Sequence, residues 1–310
     1  MSALPPTVTL SQLAYFVAVA EELHFGRAAK RLHIEQSPLS QAIRGLEANL
    51  GVTLLHRTSR HVSLTDAGAE LLPAARAALE AVNHAVSVAR DAAAAEAGVI
   101  RVGFVAYGAC DVIDRALARF AAEHDQLLVQ TRQTDFSDPT GGLAGESVDV
   151  AFVRLPIGAS TIESVTLLRE PRVAVLPASH PLAGRDRTAI SDLLNEHWLQ
   201  MPATDPVWRD FWLAAPERGD LPTLLGPEVR TVDEQITATT TGGYVSLIPQ
   251  SVTTFYPRQG IAYIPVEDIP PSEVAIAWRR GDDRPTTRTF VDAARATATT
   301  QADTPLTSTA

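Results

Sequence analysis

The hydrophobic period of the chain changes once, at Gly98, and that change limits the fold to two kinds of unit in series. Up to residue 97, apolar residues recur every three or four positions, which is the spacing of helices. Beyond it, apolar runs at 99–106, 127–133 and 148–153 alternate with amphipathic helical patterns at 111–123 and 140–146. Such alternation predicts a parallel sheet with helices on both faces, so the fold class is α/β. A second unit of the same kind follows residue 169. Its expected elements are a strand at 173–176, helices at 191–195 and 206–214, a strand at 229–232, a helix at 233–241 and strands at 244–248, 261–266 and 274–278, closed by a helix at 286–297. From about residue 299 the chain is mostly Thr, Ala and Ser without periodicity, which predicts a disordered tail over 299–310.

Composition narrows the chemistry. A length of 310 residues, 45% of them apolar and 20% charged, fits about two ordinary globular domains. The longest apolar stretch near the N-terminus, 13–20, is far short of the roughly 20 residues that span a membrane. No Lys or Arg precedes Arg27, so the basic start of a secretory leader is absent, and a cytoplasmic protein without membrane contact is expected. A single cysteine, Cys110, excludes an intrachain disulfide and a cysteine zinc cage. Its place near a helix start leaves two readings, a thiol of lowered pKa or a small buried filler. Of the 26 basic residues only Lys30 is lysine, and Arg31 follows it, so no phosphate loop of the G-x-x-x-x-G-K-[ST] kind exists. The arginine excess itself reads as coding bias. No G-x-S-x-G or H-E-x-x-H motif occurs, and the eight histidines are scattered. No catalytic residue, metal or cofactor is predicted.

Charge is unevenly placed. Residues 1–65 hold six basic and four acidic side chains, a net +2, so the remainder carries −12 of the total −10. A basic head on an acidic body suits a modular nucleic-acid binder, because phosphates need only local positive charge. The head reads as three short helices. Leu10, Leu13, Val17 and Ala20 form a helical stripe with Thr9 or Ser11 as cap, and a second helix covers 26–32 with Ala28, Ala29 and Leu32 inward. A third starts with Ser37 as N-cap and Pro38 at its first position, and stops at Gly51. Laid out at about 100° per residue, Leu39, Ile43, Leu46 and Leu50 share one wedge, while Ser37, Gln41 and Arg44 lie opposite and Ser40 and Glu47 flank them. Two apolar pieces, 54–55 and 62–64, follow, joined by the turn His56-Arg57-Thr58-Ser59-Arg60-His61. Helices across a tight turn with a basic hairpin make a winged helix-turn-helix. Gln36, Ser37, Pro38, Ser40, Gln41 and Arg44 are then expected in the major groove of double-stranded DNA, with Arg27 nearby and Arg57 and Arg60 of the wing on phosphate or the minor groove.

From Thr65 one helix is expected to run to about residue 96. Leu72, Ala75, Leu79, Val82, Val86, Ala89 and Ala93 form a heptad seam along it, with Pro73 in its second turn. The seam either packs on the chain's own body or, as preferred here, joins two copies into a homodimer.

At this point the chain resembles the LysR-type transcriptional regulators over nearly its whole length. The resemblance is carried by residues 13–20, by Phe25 with Arg27-Ala28-Ala29 and Leu32, by Gln36-Ser37-Pro38-Leu39-Ser40 with Ile43 and Leu46-Glu47, by Leu50-Gly51 with Leu54-Leu55-His56-Arg57, and by Val62-Ser63-Leu64-Thr65 with Ala67-Gly68. Weaker echoes lie at 148–152, Glu170-Pro171, His180-Pro181-Leu182-Ala183 and 242–249. The resemblance implies a winged head at 1–65, a linker and dimerisation helix at 66–97 and a two-lobed effector domain at 98–298. That domain would be similar in fold to type 2 periplasmic binding proteins, with lobe I at about 98–168 and 270–298 and lobe II at about 169–269. It also implies a small-molecule effector, a homotetramer built from two dimers, and contact with RNA polymerase as a further possibility. The chain departs from the family where His24 replaces a Ser that caps the second helix, and where Gln41 replaces a frequent Arg. After the first sensor strand, Ala106-Tyr107-Gly108-Ala109 stands where Ser or Thr hydroxyls often meet a carboxylate.

Ligands of open α/β sheets settle at the carboxyl ends of strands, which selects Ala106, Tyr107, Gly108, Thr134, Arg154, Pro202, Thr204 and Val232 for a small organic effector, aromatic or weakly acidic. Arg154 either forks onto a carboxylate or phenolate or closes a salt bridge at its strand end. Tyr107 stacks on a ring or covers the cleft mouth, and Thr204 caps the helix ahead of Trp208 or contacts ligand. A competing reading keeps the two lobes as a solute-binding or catalytic domain with a head that contacts protein; the polar helix face and basic wing weigh against it.

Overall fold

The computed structural model describes residues 8–57, 62–96, 98–105, 111–202 and 204–298, without the side chains of 87 and 90–96. It divides into two compact units, 1–90 and 91–310.

In the first unit, helix α1 (Leu10–Glu22) starts at a capping box: Gln12 N donates to Thr9 Oγ1 at 3.2 Å and Thr9 N to Gln12 Oε1 at 3.0 Å. Its core face is Phe16, Val19 and Ala20, and Leu10 is exposed, so the true stripe is rotated from the one expected. Helix α2 (Phe25–Arg31) buries Phe25, Ala28 and Ala29. Helix α3 (Gln36–Leu50) begins two residues before its expected start, with Glu35 at the N-cap and no side-chain cap, so Ser37 and Pro38 occupy the first turn. Proline fits there because first-turn N–H groups have no intrahelical acceptor. Leu39, Ile43 and Leu46 are buried, whereas Leu50 is 37% exposed and leaves the wedge. Strands β1 (Leu55–Arg57) and β2 (Val62–Leu64) pair antiparallel. Helix α4 (Asp66–Glu96) starts at Thr65, whose Oγ1 accepts from Gly68 N at 3.0 Å and donates to Thr53 O at 2.8 Å. Within the expected seam, Ala75 is buried and Leu72 half-buried in the core of the head, while Val82, Val86 and Ala89 are exposed. The start of the seam therefore serves the chain's own head, and among the described side chains its later part, Val82, Val86 and Ala89, lies exposed.

In the second unit, strands β3 (Val99–Val105), β4 (Leu128–Thr134), β5 (Val150–Leu155), β6 (Ile162–Glu170) and a late strand, β12 (Ser272–Arg279), form one sheet in the order β4-β3-β5-β12-β6. The first three run parallel and β12 is antiparallel to both neighbours, so the sheet is mixed and not all-parallel as expected. Along β5, Val150 and Phe152 face one layer and Ala151 and Val153 the other. Helices α5 (Asp111–Glu123) and α9 (Pro285–Arg295) cover the first face through Phe120 and Phe290, whose rings lie 4.8 Å apart. Turns over 140–148 cover the second; the helix expected at 140–146 does not form. Gly141 and Gly142 adopt positive φ there, +65° and +97°, which a helix excludes.

The second lobe is built on strand β7 (Arg172–Pro177) between β10 (Ser246–Pro249) and β11 (Ile261–Pro265), all antiparallel, beside a parallel pair β8 (His197–Gln200) and β9 (Leu224–Glu228). The strand expected at 229–232 lies earlier, at β9, and Val232 opens helix α7 (Val232–Gly242) because Thr231 caps it, accepting from Glu234 N at 3.1 Å. Helices α6 (Pro206–Trp212) and α8 (Gln250–Phe255) complete the lobe, and the 191–195 helix is a short 3₁₀ turn, Ile190–Leu193. The chain passes between lobes at Glu170–Arg172 and returns between Pro265 and Ser272. Beside this crossing, Arg172 is wholly buried. It donates to Pro270 O at 2.8 Å and Phe211 O at 2.6 Å, pairs with Glu217 at 3.2 Å and lies 4.0 Å over the Phe211 ring. Among the described residues no helix is long and apolar enough to cross a membrane.

Candidate DNA-binding face and inter-lobe cavity

On α3, burying Leu39, Ile43 and Leu46 leaves Gln36, Ser37, Pro38, Gln41 and Arg44 exposed and Ser40 half-exposed on the outer side. Base edges are read by such short amides, hydroxyls and guanidinium groups. Several cations of the head are engaged with carboxylates: Arg27 with Glu22, Arg31 with Glu21 at 2.7 Å and Arg57 with Glu47 at 2.5 Å. Arg44 has only a bond to Ser40 O at 3.2 Å, and among the described residues no carboxylate meets it. The second helix keeps a cap despite the missing hydroxyl, because His24 Nδ1 accepts from Gly26 N at 3.0 Å and Arg27 N at 3.2 Å. Arg60 and the rest of 58–61 lie outside the described residues.

The helical layout places Glu47 only on the flank of α3. In the fold it ties that helix to the wing: Oε1 accepts from Leu54 N at 2.9 Å and Leu55 N at 3.1 Å, and Oε2 holds Arg57, whose guanidinium sits 5.1 Å over Phe25. Its reach across a tight turn, seven or eight residues along the chain, is what a periodicity reading misses. Glu47→Ala should lower the stability of the head by about 2–3 kcal/mol, since it orphans two amides and frees Arg57. Chemical denaturation would measure this, and Glu47→Gln should recover part of it through the retained carbonyl.

The sensor residues expected together fall into three places. Arg154 and Val232 line a largely apolar cavity with Val105, Phe136, Met201, Trp208, Trp212 and Gln235. Thr134 donates to Asp138 O at 3.0 Å and lines an open crevice with Asp135, Arg230 and Tyr256, which Val232 borders as well. There, burial and the Asp233 carboxylate push the Tyr256 phenol above its usual range. Thr204 is exposed on a third, between Asp138 and Asp205. It is not the cap of α6: Asp205 Oδ1 accepts from Trp208 N at 3.1 Å, and Asp205 Oδ2 from Gly158 N at 2.7 Å. Pro202 is buried beside Met201. Ala106, Tyr107, Gly108 and Cys110 lie outside the described residues.

Of the two readings of Arg154, the structure contains the ion pair. Its guanidinium binds Glu170 at 2.7 Å and reaches Ser251 Oγ and Ser272 Oγ at 3.3 Å each, while Glu170 also accepts from Ser251 N at 2.6 Å. These four residues sit where the chain crosses between lobes, so Arg154 joins the end of β5 to α8 and to the start of β12. The cavity has an aromatic wall that the strand-end rule does not select: Phe136 and Trp208 rings are 5.6 Å apart, Trp208 and Trp212 6.0 Å. The spacing Trp208, Phe211, Trp212 along a short helix beyond a strand end is the signal that marks it.

Comparison with known proteins identifies both domains. The family model described as "Bacterial regulatory helix-turn-helix protein, lysR family" matches residues 10–69, and "LysR substrate binding domain" matches 93–299. The chain is 32% identical over 287 residues to the uncharacterized HTH-type transcriptional regulator YnfL of Escherichia coli, covering 91% of this chain and 96% of that protein. It is 30% identical to the HTH-type transcriptional regulator AlsR of Bacillus subtilis, over 91% and 94%. The crystal structure of full-length BenM superposes with a TM-score of 0.52 at 28% identity, covering 93% of this chain and 96% of that one. With a winged head whose polar helix face is turned outward and a two-lobed α/β unit enclosing a cavity, the chain belongs to the LysR family of DNA-binding transcriptional regulators with an effector-binding domain.

Proposed function

We propose that this regulator reads its operator through Gln36, Ser37, Pro38, Ser40, Gln41 and Arg44 in the major groove, with Arg27, Arg57 and Arg60 on the backbone or minor groove. Residues 1–65 are the DNA-binding head, 66–97 the linker helix and 98–298 the effector domain, and the protein acts in the cytoplasm as a regulator and not as an enzyme. Two copies pair through the free part of α4, Leu79 onward, and two such dimers join as a tetramer. The exposed Val82 and Val86 support this pairing. The effector binds between the lobes at the cavity lined by Arg154 and Val232. The observation that carries the DNA reading is the exposed, polar side of α3, on which Arg44 meets no carboxylate among the described residues.

Arg44→Ala is expected to cost about 1–3 kcal/mol on the specific operator and to relax preference at one base pair, leaving non-specific affinity nearly intact. Gel shifts with the region upstream of the neighbouring operon, run at several salt concentrations, measure both. An unchanged operator affinity with unchanged sequence preference would remove α3 from the groove.

A further inference from the structure

Trp212 leaves one requirement of the inter-lobe cavity unmet. The residue lines the cavity, is 4% exposed, and its indole Nε1 is buried with no hydrogen-bond partner among the described residues. A buried donor without an acceptor is costly enough that native proteins rarely keep one unless a water or a ligand completes it. The rest of the lining is apolar or aromatic apart from Gln235, which gives one of its two amide N–H groups to Leu247 O at 3.1 Å. Among the described residues the one cation on the cavity is Arg154, already bound to Glu170 and two serine hydroxyls.

We propose that the cavity takes an uncharged aromatic molecule bearing a hydrogen-bond acceptor, such as an aryl ketone or aldehyde, which accepts from Trp212 Nε1 while its ring packs against Phe136 and Trp208. This rests on the reading that the effector binds between the lobes. An aromatic carboxylate is disfavoured: its charge would be stripped of water with no free counter-charge, unless Arg154 abandoned Glu170 and left that carboxylate buried and unpaired. The cavity in this form measures about 40 Å³. That is room for water, whereas a benzene-sized guest occupies a cavity of about 150 Å³. The ligand therefore binds a widened form. Bonds that join one lobe to the other around this narrow form run from Phe136 N to Arg230 O at 2.8 Å, from Gly158 N to Asp205 Oδ2 at 2.7 Å and from Arg154 to Ser251 Oγ at 3.3 Å. A guest that fits only the wider form has the differential affinity that a change of state requires.

The test uses the full-length protein with its four tryptophans replaced biosynthetically by 5-fluorotryptophan. Its ¹⁹F spectrum is titrated with three ring-matched probes: acetophenone, toluene and benzoate. Acetophenone is expected to shift the Trp208 and Trp212 resonances with a Kd about tenfold below that of either other probe, the ratio of one well-made hydrogen bond. W212F should erase that tenfold advantage and leave toluene unchanged; should W212F fail to fold, the ranking on the unsubstituted chain decides. Acetophenone no tighter than toluene would overturn the role of the indole N–H. Benzoate as tight as acetophenone, at the same two resonances, would overturn the ligand class and leave the inter-lobe site standing. If no probe moved either resonance, the inter-lobe reading itself would fall, and this proposal with it.

Discussion

Gly103→Ala should lower the stability of the effector domain by about 3–5 kcal/mol, more than overpacking a core commonly costs. A methyl group at that position of β3 would stand 1.9 Å from the carbonyl oxygen of Gly141. The obstacle is backbone and cannot swing aside like a side chain. Gly141 cannot retreat into an ordinary conformation either, since its φ is +65° and Ala151 lies against its other side. The turns at 140–148 would have to lift from the sheet, exposing Leu143 and Val148, which are 1% and 0% exposed. Urea unfolding followed by tryptophan fluorescence would show the loss. Gly145→Ala is the control: nothing lies within 4 Å of the added carbon, and the expected change is within about 0.5 kcal/mol. Equal stability of the two variants would mean that the turns do not pack on β3.

Removing a carboxylate should be as damaging as adding that methyl. Asp149 is 3% exposed and receives Arg101 N at 2.7 Å, Arg101 Nη2 at 2.6 Å and Arg284 Nη1 at 2.9 Å. It joins the start of β3 to the chain entering β5 and to the approach of α9. Asp149→Ala takes this carboxylate from the mostly buried Arg101 and from the Arg101 amide, while Arg284 keeps Asp282 at 2.6 Å, and is expected to cost about 3–5 kcal/mol. Burial alone would raise the carboxyl, but hydrogen bonds from Arg101 and the charges of Arg101 and Arg284 outweigh it and hold the group below its ordinary range. A carboxylate depressed in the folded state stabilises fully above its unfolded pKa, near about 4, and loses that contribution as pH falls through the folded value. The unsubstituted chain should therefore lose more stability than Asp149→Ala between neutral pH and acid below about pH 4. Parallel pH profiles would contradict this.

Caps and periods made most of the architecture legible. The Thr9 and Thr65 caps, the Gly51 stop, the α5 boundaries and the β/α alternation are local signals, and local signals survive in a linear reading. What escaped depends on partners distant in sequence. Strand β6 pairs at the sheet edge with β12, more than a hundred residues later, and its Ser, Thr, Glu and Arg hide an apolar alternation. Strand β9 contains Gly226 and Pro227, which argue against a strand anywhere but an edge. At the site, Arg154 was found by position alone, but the glutamate that holds it is sixteen residues away and the serines about a hundred. The aromatic wall was legible as a helix and not as a wall, because facing Phe136 toward Trp208 takes both lobes.

The two interior arginines of the second lobe bear on how such a sequence can drift. Arg172 serves two carbonyls, one carboxylate and one ring at once; Arg218, also buried, donates to Leu213 O at 2.9 Å and Leu194 O at 3.3 Å and lies 4.4 Å over Trp198. A flat five-donor fork meets acceptors in several directions while presenting its face to a ring, and a compact ammonium on a flexible stem meets neither condition. A genome that drives lysine codons toward arginine changes little on the surface of this molecule. A genome with the opposite pressure would meet resistance at 172 and 218, where the substitution to lysine is a change of geometry as well as of codon.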